Sequence, residues 1–445
     1  MSNRKLRRIT FRYKWDRLKV SFWFAPVVMS LGAILLAWLM YWVDTRIPDY
    51  FLVSSRLILA GSPAQLRTSL LSMATTTLTT AGVVFTLLTL PLSTVAAQYG
   101  SRLLRVFLGD RTTQLVLGMF TATFVYCLAA ALSIPPVEVE AQSPQITASV
   151  GLLLMLGTFA SLIILVQHIS TMLQAPNIAA AAGAELRDVV LAELPEVSSA
   201  ESQPGSDRLD SLVDADGYPV RIRQAGYIQY IDPVGVISVA RENDLVIRLL
   251  CKPGCFVRVG EPVSLVWPAN RLNEELEGQI RHAFLIGNAR TPTQDIAYAI
   301  NQLVEMAVRA MSPAINDPFT AMTCLDHIGN GLALFVRQGG KASHNYDEKG
   351  KLRLILDPVT FAELLDAAFD MLRHCSIENA SVLMRMLEVI DVVGRDTDSP
   401  EARQELIRHI KLIREESETG ALIEKDRQRI QQSGEALVIK LLARG

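Results

Sequence analysis

Between Thr68 and Ser101 the chain runs 34 residues without a charged side chain. A bilayer needs only about 20 residues per helical crossing, and lipid offers the backbone no partners but its own, so this stretch reads as a membrane helix. It also carries a pattern. At about 100° per residue, Thr68, Ser72, Thr75, Thr79, Gly82, Thr86, Thr89 and Ser93 fall within about 60° of one line. The opposite face holds Val84, Leu87, Leu88 and Val95. Two readings fit such a face: close packing of transmembrane helices that exchange hydrogen bonds, or a lining exposed to water. Both put this helix at the centre of an assembly.

Half of the residues are apolar while a fifth are charged, a mixture that implies membrane and soluble parts in one polypeptide. Four charge-free stretches are long enough to span: Val20 to Val43, Thr68 to Ser101, Thr112 to Val137 and Ala141 to Ala184. The last exceeds one crossing, and Gln174, Pro176 and Asn177 mark where it leaves the lipid. Eight bases between Arg4 and Lys19 precede the first span, and Arg102, Arg105 and Arg111 follow the second. The loop after the third holds Glu138 and Glu140 and no base. The positive-inside rule therefore expects both termini in the cytoplasm of an inner (plasma) membrane. Arg46, Arg56 and Arg67 in the first outside loop are outweighed by the N-terminal excess. The long basic region and full-length first span argue against a cleaved signal peptide.

The organisation expected is a basic N-terminus over 1–19, a four-helix membrane domain over 20–184, and a helix extension and flexible linker over 185–217. A small β-barrel over 218–268 and a mainly helical domain over 269–445 complete it. The fold class is thus membrane α-helical with a cytoplasmic α+β region. Strand candidates are Tyr227 to Ile231, Leu245 to Leu250, Phe256 to Val259 and Val263 to Trp267, with a turn at Pro253-Gly254. Thr291-Pro292, Asp317-Pro318 and Asp357-Pro358 each read as a helix start with Pro in the first turn, and Asp317 as the cap of a helix over Phe319 to Arg337. Further helices are expected near Asn379 to Val393, Pro400 to Ser417 and Gly420 to Gln432, with a strand at Leu352 to Leu356.

The segment from Pro253 to Val263 resembles lipoyl-like barrel modules over about 40 residues. Lys252, between Cys251 and Pro253, does not match the carrier lysine of such modules, so no swinging cofactor is implied. Cys251 and Cys255 lack a second pair for a zinc site and read as reduced, partly buried thiols. No Gly-rich phosphate loop, Gly-x-Ser-x-Gly elbow or Cys/His nucleophile pattern occurs. The sequence therefore suggests no enzyme, no catalytic residue, no metal and no cofactor. The bases cluster where lipid headgroups account for them, which argues against nucleic acid.

Asp295, Gln302 and Arg309 lie at about 0°, −20° and −40° on one helix, followed by Ser312-Pro313-Ala314-Ile315-Asn316-Asp317-Pro318. This reads as a helical hairpin with a polar interface; the alternative is a ligand or ion site that uses Asp317, Asn316 and Arg309. At these residues the chain resembles a family of bacterial inner-membrane proteins that carries only a domain-of-unknown-function label. Thr80 to Phe85, Gln98 to Arg105 with Phe107 and Asp110-Arg111, and Gln294 through Pro318 carry the likeness over nearly the whole chain. Members usually have Ser or Phe-Ser before Pro-Arg where this chain has Tyr99-Gly100-Ser101-Arg102, which implies a looser turn. The family implies a topology and no activity.

The functional reading is a homo-oligomeric ion channel lined by Thr75, Thr79, Gly82, Thr86, Thr89 and Ser93, with a cytoplasmic ring. Its partners are the bilayer, further copies and ions. The order of parts resembles small-conductance mechanosensitive channels at the level of architecture. The alternative is a membrane-anchored scaffold or sensor whose cytoplasmic domain binds a protein or small ligand. Topology is testable directly. A cysteine at Glu138 is expected to react with an impermeant reagent on intact spheroplasts and one at Ser206 to be protected; the opposite pattern inverts the orientation.

Overall fold

The computed structural model describes residues 23–46, 59–98, 110–134, 143–192, 206–339 and 343–444. The described residues divide into two compact units, one up to Asn177 and the other from Ile178 onward. The expected turn at Tyr99 to Arg102 and the whole basic N-terminus over 1–19 lie outside the described residues.

Four helices of the first unit are long and apolar enough to cross a membrane: α1 (Phe24–Asp44), α2 (Pro63–Gln98), α3 (Arg111–Ser133) and α4 (Gln145–Met172). They match the four expected spans. Helix α3 packs against the other three because its small residues let backbones approach. A Cβ on Gly118 would meet the Met29 sulfur at 2.4 Å, and one on Gly151 of α4 would meet Leu70 at 2.9 Å. Polar ties complete the bundle. Tyr126 donates to the Thr147 carbonyl at 2.9 Å, and Thr123 and Thr158 share a hydrogen bond of 2.9 Å. Asp44, buried at the end of α1, accepts from the backbone N–H groups of Ile146 and Thr147 at 3.0 and 2.8 Å. It thereby satisfies donors in the first turn of α4 that have no partner within that helix.

The connection after α4 is α5 (Ala175–Ala192). The described part of the expected linker is not all coil, for α6 (Ser206–Asp216) is helical. Next come β1 (Tyr218–Arg221), β2 (Gly226–Ile231), α7 (Pro233–Glu242), β3 (Val246–Leu249), β4 (Phe256–Val257) and β5 (Pro262–Trp267). Then follow α8 (Glu274–His282), β6 (Phe284–Gly287), α9 (Ile296–Ala310), α10 (Pro318–Gln338), β7 (His344–Tyr346) and β8 (Leu352–Ile355). Four helices close the unit: α11 (Phe361–Cys375), α12 (Ala380–Arg395), α13 (Pro400–Thr419) and α14 (Glu424–Leu442).

The expected β-barrel is corrected. The strands form two open sheets, β1-β5-β3-β8-β7 and β4-β2-β6. Among the described residues β1 and β7 end one sheet and β4 and β6 the other, each paired on one edge only, because β3 takes β8 and β2 takes β6 as partners from outside 218–268. Without a barrel, the architectural likeness to mechanosensitive channels loses its second element. Val234 to Val239, β-branched enough to pass for a strand, is helix because Asp232 caps it, with its side chain accepting from Gly235 at 3.0 Å, and Pro233 fits the first turn. Two expected helix starts also move. Helix α9 begins at Ile296 under an Asp295 cap, not at Pro292, and α11 begins at Phe361 under a Thr360–Glu363 capping box, not under Asp357.

Arg353 on β8 is buried, and a buried guanidinium requires partners. It donates to Asp347 at 2.8 Å and to Asp244 at 2.9 Å, while Arg271 holds the same Asp244 carboxylate at 2.7 Å. Hydrogen bonds from Arg271, then Arg353, hold the Asp244 carboxyl down to about 2 from its ordinary 3.8. A depressed carboxyl stabilises the fold above its unfolded value, and that contribution disappears as pH falls from about 4 to about 2. Over this window the melting temperature of Asp244→Asn is expected to fall less steeply than that of the parent; parallel curves would contradict the assignment.

Candidate functional site

Helix α2 buries one face and exposes the other. Leu66, Leu70, Ala74, Thr77, Val84 and Leu88 are buried, the apolar ones in two clusters shared with α3, α4 and, at its start, α1. Thr68, Ser72, Thr75, Thr79, Gly82, Thr86, Thr89 and Ser93 are all exposed. A Cβ on Gly82 would meet nothing within 4 Å. The hydroxyl band therefore points away from the chain's own bundle, and the packing reading does not apply within one copy. Val84 and Leu88 sit opposite the band as expected, but Leu87 is exposed and the side chain of Val95 lies outside the described residues.

The threonine protons of the band are already used. Thr68, Thr75, Thr79 and Thr86 donate to the carbonyls four residues back at 2.9 to 3.1 Å, and Thr89 donates to Thr86 at 2.9 Å. What they offer outward is oxygen lone pairs. Apolar residues flank them: Leu71, Leu78 and Phe85 on one side, Val83 and Leu87 on the other, all exposed and about 60–100° from the band. Thr68 to Ser93 spans about 38 Å at 1.5 Å per residue, more than the roughly 30 Å hydrocarbon core.

The soluble constellation does not converge on one point. Asp295 is 4% exposed. It caps α9 through Tyr298 at 2.9 Å and receives both arms of Arg290 at 2.8 and 2.9 Å. A Cβ on Gly254, whose φ is +90°, would lie 2.0 Å from its carboxylate, so the Pro253-Gly254 turn docks against this pair and a side chain there is excluded. Burial pushes the Asp295 carboxyl above its ordinary value although Arg290 opposes it. Gln302 is 1% exposed, and its Oε1 has no partner among the described residues. Arg309 is partly exposed and pairs with Glu305 at 3.1 Å, as the spacing expects. The three therefore do not make a continuous surface stripe.

The Ser312 to Pro318 turn is closed by its own backbone. Ser312 accepts from Ile315 and Asn316 at 3.0 and 2.9 Å, and Asp317 donates to Ala310 at 2.8 Å. Asn316 takes φ +48°, a conformation that asparagine tolerates better than most residues. Both Asp317 oxygens are engaged by Thr320, from its N–H at 3.1 Å and its hydroxyl at 2.6 Å. That is the expected cap.

Sequence reasoning missed Asp366, Asp370 and His409, whose ligating atoms lie within 4.8 Å of one another. Arg408 already occupies the cation's place, 2.5 Å from Asp366 and 3.1 Å from His409, and Arg373 holds Asp370 at 3.2 Å. Burial, then Arg408, lowers the His409 pKa, so this is an ion-pair network around a neutral imidazole. Of the two neighbouring thiols, Cys251 is half-buried, as expected, but Cys255 is exposed.

Residues 19–391 match the family described as "Predicted membrane protein (DUF2254)", and the chain belongs to that family. An uncharacterized protein of Mycobacterium bovis and one of Mycobacterium tuberculosis are each 27% identical over 384 residues, covering 84% of this chain and 72% of the relative. No solved structure matches. For the turn that carries the family likeness, Asp317→Ala is expected to cost about 1 kcal/mol through loss of the cap. Thermal melting of the purified protein measures this, and an unchanged melt with loss of a bound ligand would make Asp317 a site residue instead.

Proposed function

We propose that this member of the DUF2254 membrane-protein family is a homo-oligomeric inner-membrane channel, a transport protein rather than an enzyme. Copies of α2 surround a common axis, the soluble parts form a ring in the cytoplasm, and both termini lie on that side. The observation that supports this is the outward band from Thr68 to Ser93 with apolar shoulders. In a ring, Thr75, Thr79, Gly82, Thr86, Thr89 and Ser93 face the axis, while Leu78, Phe85 and Val83 meet neighbouring copies. Hydroxyl oxygens then line a neutral path for ions, and no apolar surface is left in it.

Length favours a lined path over a packing motif. A close helix contact uses a few small residues around one crossing, whereas this band continues through the whole hydrocarbon thickness. A second reading, a membrane-anchored sensor whose soluble unit binds a small ligand, is favoured by a crevice in that unit, lined by Leu249, Lys252, Ile296, Phe335, Leu356 and Asp357 among others.

The two readings differ in conductance. A Leu at position 79 or 86 would place an apolar ring in the path and block it by dewetting. Thr76, about 80° off the band, is the control. Single-channel recording in planar bilayers is expected to show current for the parent and Thr76→Leu but none for Thr79→Leu and Thr86→Leu. Equal currents in all four, or none in the parent under tension or voltage, would remove the channel.

A further inference from the structure

Two turns of the soluble unit lie side by side. Arg221 at the end of β1 pairs with Pro262 at the start of β5. Ile222 donates to the Glu261 carbonyl at 3.0 Å, and Gly260 donates to the Ile222 carbonyl at 2.8 Å. Gly226 and Tyr227 of β2 pair with Val257 and Phe256 of β4. Segments 221–226 and 255–262 therefore form one tip.

The surface of this tip is apolar and basic at once. Phe256 is 54% and Val259 67% exposed, and the Tyr227 ring, 5.1 Å away, holds Phe256 from one side only. Arg221, Arg223 and Arg258 are exposed beside them. The two segments contain these three arginines and a single acid, Glu261. Arg221 donates to the Gly260 carbonyl at 2.8 Å, a contact that leaves its charge uncompensated. Arg258 lies 3.6 Å from Glu261. The tip is thus net positive, with two large apolar side chains among its charges.

One exposed Phe or Val is ordinary on a soluble surface. Two on adjoining turns, ringed by bases, suit the boundary between lipid headgroups and acyl chains. Arginine stems lie along apolar surface while their guanidinium groups reach phosphate oxygens. A second copy of the tip fits worse, because a symmetric contact would set three arginines against three. Lipid is also always at hand: the soluble unit is joined covalently to four membrane helices, so a bilayer is presented to it at high effective concentration.

We propose that this tip docks on an anionic bilayer surface, with its arginines on lipid phosphates and Phe256 and Val259 in the interface. The inference is independent of the channel and sensor readings, since neither a conducting path nor a small ligand enters it. Cys255, next to Phe256, provides the probe site. It is exposed, Cys127 and Cys324 are buried, and burial pushes the Cys251 thiol up to about 12, so a Cys375→Ser protein takes an environment-sensitive fluorophore at Cys255. The labelled full-length protein is placed in nanodiscs of phosphatidylcholine alone, or of equal parts phosphatidylcholine and phosphatidylglycerol, with spin-labelled lipid as quencher. In the anionic discs the emission is expected to shift to the blue and to be quenched by lipid, and in the neutral discs far less. Arg223→Gln combined with Arg258→Gln is expected to lower the ratio of docked to free tip at least about tenfold, given roughly fivefold per base near an anionic surface. Phe256→Ser is expected to lower it as well. Melting temperatures report whether the variants remain folded. Equal quenching in both lipids, or quenching that survives loss of both arginines, would overturn the anionic contact. A probe quenched in neither lipid would overturn the docking altogether, and if it were also shielded from aqueous iodide the tip would meet another copy instead.

Discussion

Backbone hydrogen bonding in lipid is the constraint on which the membrane unit depends. Each span must be helical to satisfy its own N–H and C=O groups, and a helix then has sides that lipid, water or protein must cover. In α2 the side built from Leu70, Ala74, Thr77, Val84 and Leu88 is covered by the chain itself. The side built from hydroxyls and Gly82 is left outward. Back-bonding of the threonine protons to the helix lowers the cost of that exposure, so the band persists as a neutral row of oxygens. The function argued here follows from that division of one helix into two faces.

The parts legible in the sequence were those set by local chemistry. Charge-free length yielded four spans, and helical periodicity placed the hydroxyl band on one line, opposite Val84 and Leu88. Asp317 before Pro318 acts as the cap its side chain suggests. Asp232-Pro233 carries the same signal, but the valines that follow obscure it, because β-branched residues suit a strand as well as a buried helix face.

The parts not legible were those set by contacts distant in sequence. Strand β3 pairs in parallel with β8, joining Ile247 to Leu354, and nothing near either residue announces the partner. That pairing and the β2–β6 pairing turn a presumed barrel into two open sheets. Arg290, Asp295 and Gly254 illustrate the same limit. Each looked like part of a polar run or a turn, yet the bidentate ion pair against a glycine backbone is a docking joint between the sheet region and α9. The crevice beside Lys252 was invisible for the same reason, since its lining is gathered from six separate segments.

An image of the purified full-length protein bears most directly on the assembly. A symmetric ring of copies with an axial opening, and with α2 as the helix nearest the axis, is the predicted result. A monomer, or an oligomer in which the Thr68 to Ser93 face looks outward to lipid, would contradict the account.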